Sequence, residues 1–246
     1  MDITYPLFSA ILIYSFLVFA NYFREEKLKH YIRLAFKHYL SPFMVDKLIE
    51  KRAKLKLGGQ RKEMTFMFCD VRDFTSLAEK INPTVLTKLV NRFFTTMSDI
   101  ILKHGGTIDK YIGDCIMAFW SAPITDQHHC VHACQASLEM ETKLKIFKEK
   151  IKKNLEVDNK ILRNLSIGIG INTGICVVGN FGTRKRFDYS VLGDSVNLAS
   201  RLEGQTKIYG IAIILGEKTK DALKKFAVIE LDKIRVKGKQ TPEKIY

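Results

Sequence analysis

Between Ile3 and Phe23 the chain carries no charged side chain (ITYPLFSAILIYSFLVFANYF). At about 1.5 Å of rise per residue, a helix of this length covers the roughly 30 Å hydrocarbon core of a bilayer. A globular helix this long ordinarily keeps one polar face. A secretory signal peptide fits poorly, because no Lys or Arg precedes the run and no small-residue cleavage site follows it. Tyr5 and Tyr22 fall near the two expected interfaces. Only Asp2 stands before the segment, whereas Arg24, Lys27, Lys29, Arg33 and Lys37 follow it. The positive-inside bias therefore predicts a single-pass protein of the cell membrane, with its N-terminus outside and everything after Phe23 in the cytoplasm.

Forty Lys and Arg against 26 Asp and Glu leave a net charge of +14. The surplus is concentrated. Residues 24–63 hold 12 basic and 5 acidic side chains, and residues 143–163 hold 8 and 3. Charge alone gives affinity for polyanions without naming one. The first block lies beneath the expected anchor, where basic residues meet anionic lipid. The second interleaves Lys with Leu144, Ile146, Phe147, Ile151 and Leu155, as a solvated helix face does. Neither block has zinc-finger spacing or an aromatic RNA-binding motif, so no nucleic-acid partner is expected. The 46% hydrophobic content excludes a wholly disordered chain. The five cysteines, Cys69, Cys115, Cys130, Cys134 and Cys176, are scattered and odd in number, which points to reduced thiols in the cytosol.

After the anchor, Leu28, Ile32, Ala35 and Tyr39 recur at 4-3-4 spacing. Such a stripe fits two parallel chains side by side, and equally a helix packing on its own domain. Ser41-Pro42 breaks that helix, and a short amphipathic piece, Pro42–Arg52, leads to an expected hinge at Gly58-Gly59. The divisions expected are a membrane anchor over 1–23, a juxtamembrane helix and linker over 24–62, and a globular domain over 63–246.

That globular part alternates strand-like and helix-like segments. Glu63–Asp70 is a short apolar run ending in Asp, and Pro83–Lys103 carries Leu86, Leu89, Val90, Phe93, Met97 and Ile100 at helical spacing. Thr107–Trp120 reads as a hairpin turning at Gly113-Asp114. Asp126 is placed to cap the helix that runs into the Lys-rich stretch. Leu165–Asn180 and Phe187–Val191 are strand-like, and Ser195–Glu203 is a short helix. The order predicts an α+β or α/β sandwich.

Asp70 ends an apolar strand and Asp114 sits at a turn between two more. Carboxylates emerging from a dry sheet edge suit Mg²⁺, which takes few protein oxygens and leaves room for substrate phosphates. Taken singly, each is equally a strand terminator or a turn residue. Asn197 and Arg201 lie i,i+4 on one helix face beside the apolar Leu198 and Leu202. Arg there presents a fixed fork of donors suited to a phosphate.

Five stretches taken in order carry more than any one of them: MTFMFCDVRDFTSL (64–77), DKYIGDCIMAFW (109–120), INTGICVVGNFG (171–182), FDYSVLGDSVNLASRLEG (187–204) and IRVKGK (234–239). Together they resemble the class III nucleotidyl cyclase catalytic domain, over nearly all of residues 38–246. The upstream AFKHYLSPFMVDKLIEK resembles the transducing element that couples membrane segments to bacterial cyclase domains. The resemblance implies an α+β fold with a ferredoxin-like βαββαβ core sheet and helices on one face. It implies two divalent ions, Mg²⁺ or Mn²⁺, held by Asp70 and Asp114 with the backbone carbonyl of Val71. The ribose 3′-OH then attacks the α-phosphate in line. Backbone N–H groups near Phe74 and Thr75 and the side chain of Lys237 are implied for the phosphates. Asn197 would orient the ribose, and Arg201 would stabilise charge on the α-phosphate. Arg184 or Arg186 stands near enough in sequence to assist.

The same resemblance places Lys110 and Ser190 against the base. Lys110 can only donate, so it suits N1 of adenine and clashes with N1–H of guanine. Guanylate cyclases usually place Glu there. Ser190 replaces the usual Asp or Thr, and its hydroxyl can accept from N6 of adenine or donate to O6 of guanine. Asp73 replaces a common Gly and adds a negative charge near the phosphate loop unless its side chain points away. The expected reading is an adenylate cyclase that acts on ATP as a homodimer with shared active sites, each chain supplying metal aspartates to one site and base-selecting residues to the other. A guanylate cyclase and a catalytically silent nucleotide-binding or dimerisation module are the alternatives. His128, His129, Cys130, His132 and Cys134 offer metal-ligand chemistry at i,i+4 spacing, but the pairs fall on different helix faces; a helix start with buried thiols is expected.

Overall fold

The computed structural model describes residues 4–36, 57–154, 162, 164–183, 186–236 and 241–246. Lys237, Arg184 and the linker from Lys37 to Lys56, with its Ser41-Pro42 break, lie outside the described residues. The chain divides into two units, Met1–Leu55 and Lys56–Tyr246.

Among the described residues the N-terminal unit has one helix, α1 (Thr4–Phe36), which runs without interruption past the expected end of the anchor at Phe23. Within it Leu7–Tyr31 is long and apolar enough to cross a membrane. Its apolar side chains, Leu7 to Phe23, stand exposed all round, as a bilayer-facing helix requires and a core helix does not.

The second unit follows β1 (Gly58–Val71), α2 (Phe74–Lys80), α3 (Pro83–Lys103), β2 (Thr107–Ile112), β3 (Cys115–Trp120), α4 (His129–Asn154), β4 (Ile167–Gly182), β5 (Phe187–Leu192), α5 (Asp194–Tyr209), β6 (Ile213–Leu215), α6 (Glu217–Asp221), β7 (Asp232–Ile234) and β8 (Glu243–Ile245). The main sheet has the order β2-β3-β1-β4-β5, and β6 pairs parallel with β4. This contains the expected βαββαβ core, with β1 antiparallel to both β3 and β4.

Met64 to Cys69 is buried without a break, and apolar except at Thr65, because β1 is covered on both faces. On one face Met67, Cys69 and Val71 pack with the Leu89–Phe93–Met97–Ile101 stripe of α3 and with Ala133, Ala136 and Met140 of α4. On the other, Met64, Phe66 and Phe68 pack with Val196 and Ala199 of α5. The two core helices thus share one face, while α5 lies across the opposite one. Asn82 caps α3 by accepting the Thr84 N–H at 2.9 Å, with Pro83 entering the helix where no N–H is needed.

Two local expectations change. Gly58 and Gly59 form no hinge; they open β1, paired with Asn180 and Gly179, and a Cβ on Gly59 would strike the Val178 backbone. α5 does not stop near Gly204 but at Gly210, which takes the left-handed conformation (φ 67°) and donates its N–H to the Thr206 carbonyl. At the start of α4, Asp126 accepts from the His128 N–H at 2.8 Å and lies 2.7 Å from His132 Nδ1. His129 Nδ1 sits 2.7 Å from Thr65 Oγ1, and Cys130 and Cys134 are buried, so this cluster is absorbed into helix capping and core.

Candidate active site

Asp70 stands at the C-terminal end of β1 opposite Gly168 of β4. Asp114 occupies the β2–β3 turn, after Gly113 with its left-handed φ of 64°. These two carboxylates line the same cleft, near enough that the charge of Asp114 acts on Asp70. A third acid, Glu203 of α5, comes close enough to interact with both. It gets there because α5 lies directly on β4: a Cβ on Gly170 would collide with the backbone of Ala199 and Glu203. Glu203 did not stand out in the sequence; the glycines at 168 and 170 of β4 were the available signal for a close helix.

Crowding raises the proton affinities of Asp70 and Glu203. Burial, then the charge of Asp114, hold the Asp70 carboxyl well above the usual carboxylate range. Burial and Asp70 push Glu203 up to about 7, against the pull of Arg72. Oδ2 of Asp114 is buried without a hydrogen-bond partner among the described residues. Two hard carboxylates, one with an orphaned oxygen, fit Mg²⁺ or Mn²⁺. The adjacent thiols do not compete, since burial raises Cys69 and pushes Cys115 up to about 12.

These acids floor a cleft of about 450 Å³ whose walls include Val71, Asp73, Phe74, Thr75, Thr206 and Lys207. Arg72 fixes its loop: the guanidinium donates to the carbonyls of Thr206 (2.9 Å) and Ile211, and the Arg72 N–H donates to the Ser166 carbonyl at 2.9 Å. Asp73 adopts a left-handed conformation (φ 54°) and turns its carboxylate to Lys207 Nζ at 2.6 Å. Its charge at this turn is therefore matched by a cation.

Lys110 and Ser190 meet elsewhere, around a residue that sequence reasoning passed over. β5 curls back over the sheet so that Tyr189 reaches Phe119 of β3, ring centroids 6.4 Å apart. Ser190 Oγ donates to Asp109 Oδ2 at 2.9 Å, and Lys110 Nζ lies 3.6 Å from the same oxygen. Burial raises the Asp109 carboxyl, while Ser190 and Lys110 act to lower it.

Asn197 is exposed on α5, and Arg201, one turn on, is half-buried with Nη1 shielded and unpartnered among the described residues. Neither is among the described residues lining the carboxylate cleft. One chain thus presents the acids, the Lys110–Asp109–Ser190 cluster and the Asn197–Arg201 face as separate groups. Arg186 is exposed beside the β4–β5 turn.

The fold and these groups define a nucleotidyl-cyclase type of domain. Residues 59–246 match the adenylate and guanylate cyclase catalytic domain, and the chain belongs to that family. It is 34% identical over 212 residues to adenylate cyclase 1 of Rhizobium meliloti (strain 1021), covering 85% of this chain and 30% of the relative. The chain spans about a third of the length of the curated relatives it matches. Among solved structures it resembles the adenylyl cyclase CyaB of P. aeruginosa (38% identity, TM-score 0.69, covering 77% of this chain and 95% of that one). The guanylyl cyclase Cya2 is nearly as similar (34% identity, TM-score 0.68, covering 77% and 92%).

Proposed function

We propose that this chain is a membrane-anchored adenylate cyclase that closes ATP to 3′,5′-cyclic AMP and releases pyrophosphate. The observation that carries the reading is the convergence of Asp70 and Asp114 on one open cleft that Phe74 and Thr75 also line. In the reaction the ribose 3′ oxygen, having lost its proton, bonds to the α-phosphorus as the bond to pyrophosphate breaks. Two divalent ions bound by Asp70, Asp114 and the Val71 carbonyl would lower the pKa of the 3′-OH and offset the charge of the leaving group. Arg72 and the Asp73–Lys207 pair hold the phosphate loop in place. Phe74 and Thr75 offer backbone N–H groups to the phosphates, and Lys237 a cation. Asn197 orients the ribose, and Arg201 supplies donors to the negative charge that grows on the α-phosphate.

ATP is favoured over GTP because Lys110 donates to N1 of adenine and opposes N1–H of guanine. The near-equal likeness to an adenylyl and a guanylyl cyclase leaves this choice to individual residues. The separation of the acids from Lys110, Ser190, Asn197 and Arg201 supports a homodimer in which each site draws on both chains. α1 would anchor that dimer in the membrane with the catalytic domain in the cytoplasm.

The test uses the full chain in detergent, with ATP and GTP offered separately in Mg²⁺ or Mn²⁺. Cyclic AMP formation that vanishes on Asp114→Ala supports the reading. Cyclic GMP in its place overturns the substrate, and no product with either metal from folded protein favours a silent module. Mixing inactive Asp114→Ala with inactive Arg201→Ala chains in equal amounts should restore about a quarter of the activity if sites are shared, since half the dimers then carry one intact site.

A further inference from the structure

Asp109 is the extra residue of a β-bulge: Ile108 pairs with Ala118 and Lys110 with Met117, leaving Asp109 between them without a partner of its own. Bulges turn a side chain out of the regular alternation and recur beside functional sites. Here the turned side chain is a carboxylate that is only 1% exposed, whereas Lys110 keeps 44% of its side chain open. Its Oδ2 accepts the Ser190 hydroxyl at 2.9 Å, across 81 residues of sequence, and its Oδ1 is buried without a partner among the described residues. Sealing an acid in this way is costly unless its neighbours are donors, and the neighbours found are the two side chains already placed against the base.

We propose that Asp109 is a specificity-determining positioning residue, which accepts the hydrogen bond of the Ser190 hydroxyl and so leaves Ser190 able only to accept from a nucleobase. A free serine hydroxyl rotates to suit either partner. Held on Asp109, it presents lone pairs outward. An exocyclic amino group, as at C6 of adenine, is then bound, while an exocyclic carbonyl, as in guanine, meets oxygen against oxygen. Ser190 thereby acts as the more usual acidic residue would, with the charge one step behind it. Lys110 gains from the same carboxylate, which at 3.6 Å limits where its ammonium can swing. This rests on the reading of Lys110 and Ser190 as the base-facing pair.

The test has two arms on the full chain. In the first, kcat/KM for ATP and for GTP is measured for the unaltered protein, Asp109→Asn, Ser190→Ala, the double variant of these two, and Lys110→Glu. An amide at 109 can donate to Ser190, freeing its proton for guanine O6. The ATP-over-GTP ratio should fall roughly tenfold or more in Asp109→Asn, and adding Asp109→Asn to Ser190→Ala should change the ratio no further. A ratio that is unchanged in Asp109→Asn while Ser190→Ala alters it overturns the proposal. An equal loss of both activities, or a change that persists without Ser190, also overturns it by assigning Asp109 a merely structural role. If Lys110→Glu and Ser190→Ala both leave the ratio untouched, the base-facing reading itself has failed. The second arm needs no variant to fold. Calorimetric binding of N6-methyl-ATP and of 6-methoxypurine riboside triphosphate compares a 6-NH donor with a 6-O acceptor of the same shape, both retaining N1 as acceptor. The donor analogue should bind roughly tenfold more tightly; equal binding overturns the proposal.

Discussion

Asp114 and Asp109 lie on the same hairpin, yet the fold gives their carboxylates opposite surroundings. Asp114 faces Asp70 and Glu203 across a cleft, where acid meets acid and one oxygen has no partner among the described residues. Asp109 is sealed from water with a hydroxyl donating to it and an ammonium nearby. In the first group acid outweighs the one cation, Arg72, that acts on Glu203, which suits a cation brought from outside; the second carries its own donors and suits a neutral ligand edge. Like side chains therefore do unlike work, and the difference lies in what the sheet places opposite each one.

The widest separation between the two regions should come from removing the cleft acids. Asp70→Ala or Asp114→Ala should lower cyclic nucleotide formation by about 10³-fold or more, measured as product with saturating Mn²⁺. The metal-free thermal midpoint of each should stay level or rise, because a repelling charge is gone. A midpoint that drops would mean the acids stabilise the fold. In the other region Lys110→Glu should cut ATP turnover roughly 100-fold while GTP turnover holds or improves, read by separating the two products. Equal losses on both substrates would dissolve the distinction between the two groups.

A smaller contrast should appear in the pH dependence of stability. Glu203 has its folded pKa near 7, above an unfolded value near 4.5, and Asp70 is displaced in the same direction. Raised acids contribute stability that is complete below the unfolded pKa and lost as pH climbs through the folded one. The chelator-treated protein should therefore melt lower at pH 8 than at pH 5.5, Glu203→Gln should narrow that gap, and Mg²⁺ or Mn²⁺ should restore stability at pH 8. The smallest effect belongs to the cleft rim. Lys207→Ala leaves Asp73 unmatched near the phosphates and should raise KM for ATP by about threefold with little change in kcat, the mark of a residue felt equally in ground and transition states.

Much of this was legible in local pattern. An uncharged segment of bilayer length, the α3 stripe, the Gly113-Asp114 turn and the strand ending at Asp70 each follow from side-chain spacing, because helix and strand periods are properties of neighbouring residues. The ordered motifs placed Asp70, Asp114, Lys110, Ser190, Asn197 and Arg201 within a known family. Sequence by itself therefore determined which elements form and which side chains are available for chemistry. Tertiary structure alone decided what each acid faces. A one-residue bulge shifts Asp109 out of the alternation that periodicity assumes. The curl of β5 carries Ser190 to a strand 81 residues earlier. The bare backbone at Gly170 lets α5 settle low enough to bring Glu203 beside Asp70. Those placements depend on register and on the approach of distant backbones, and no local period encodes either.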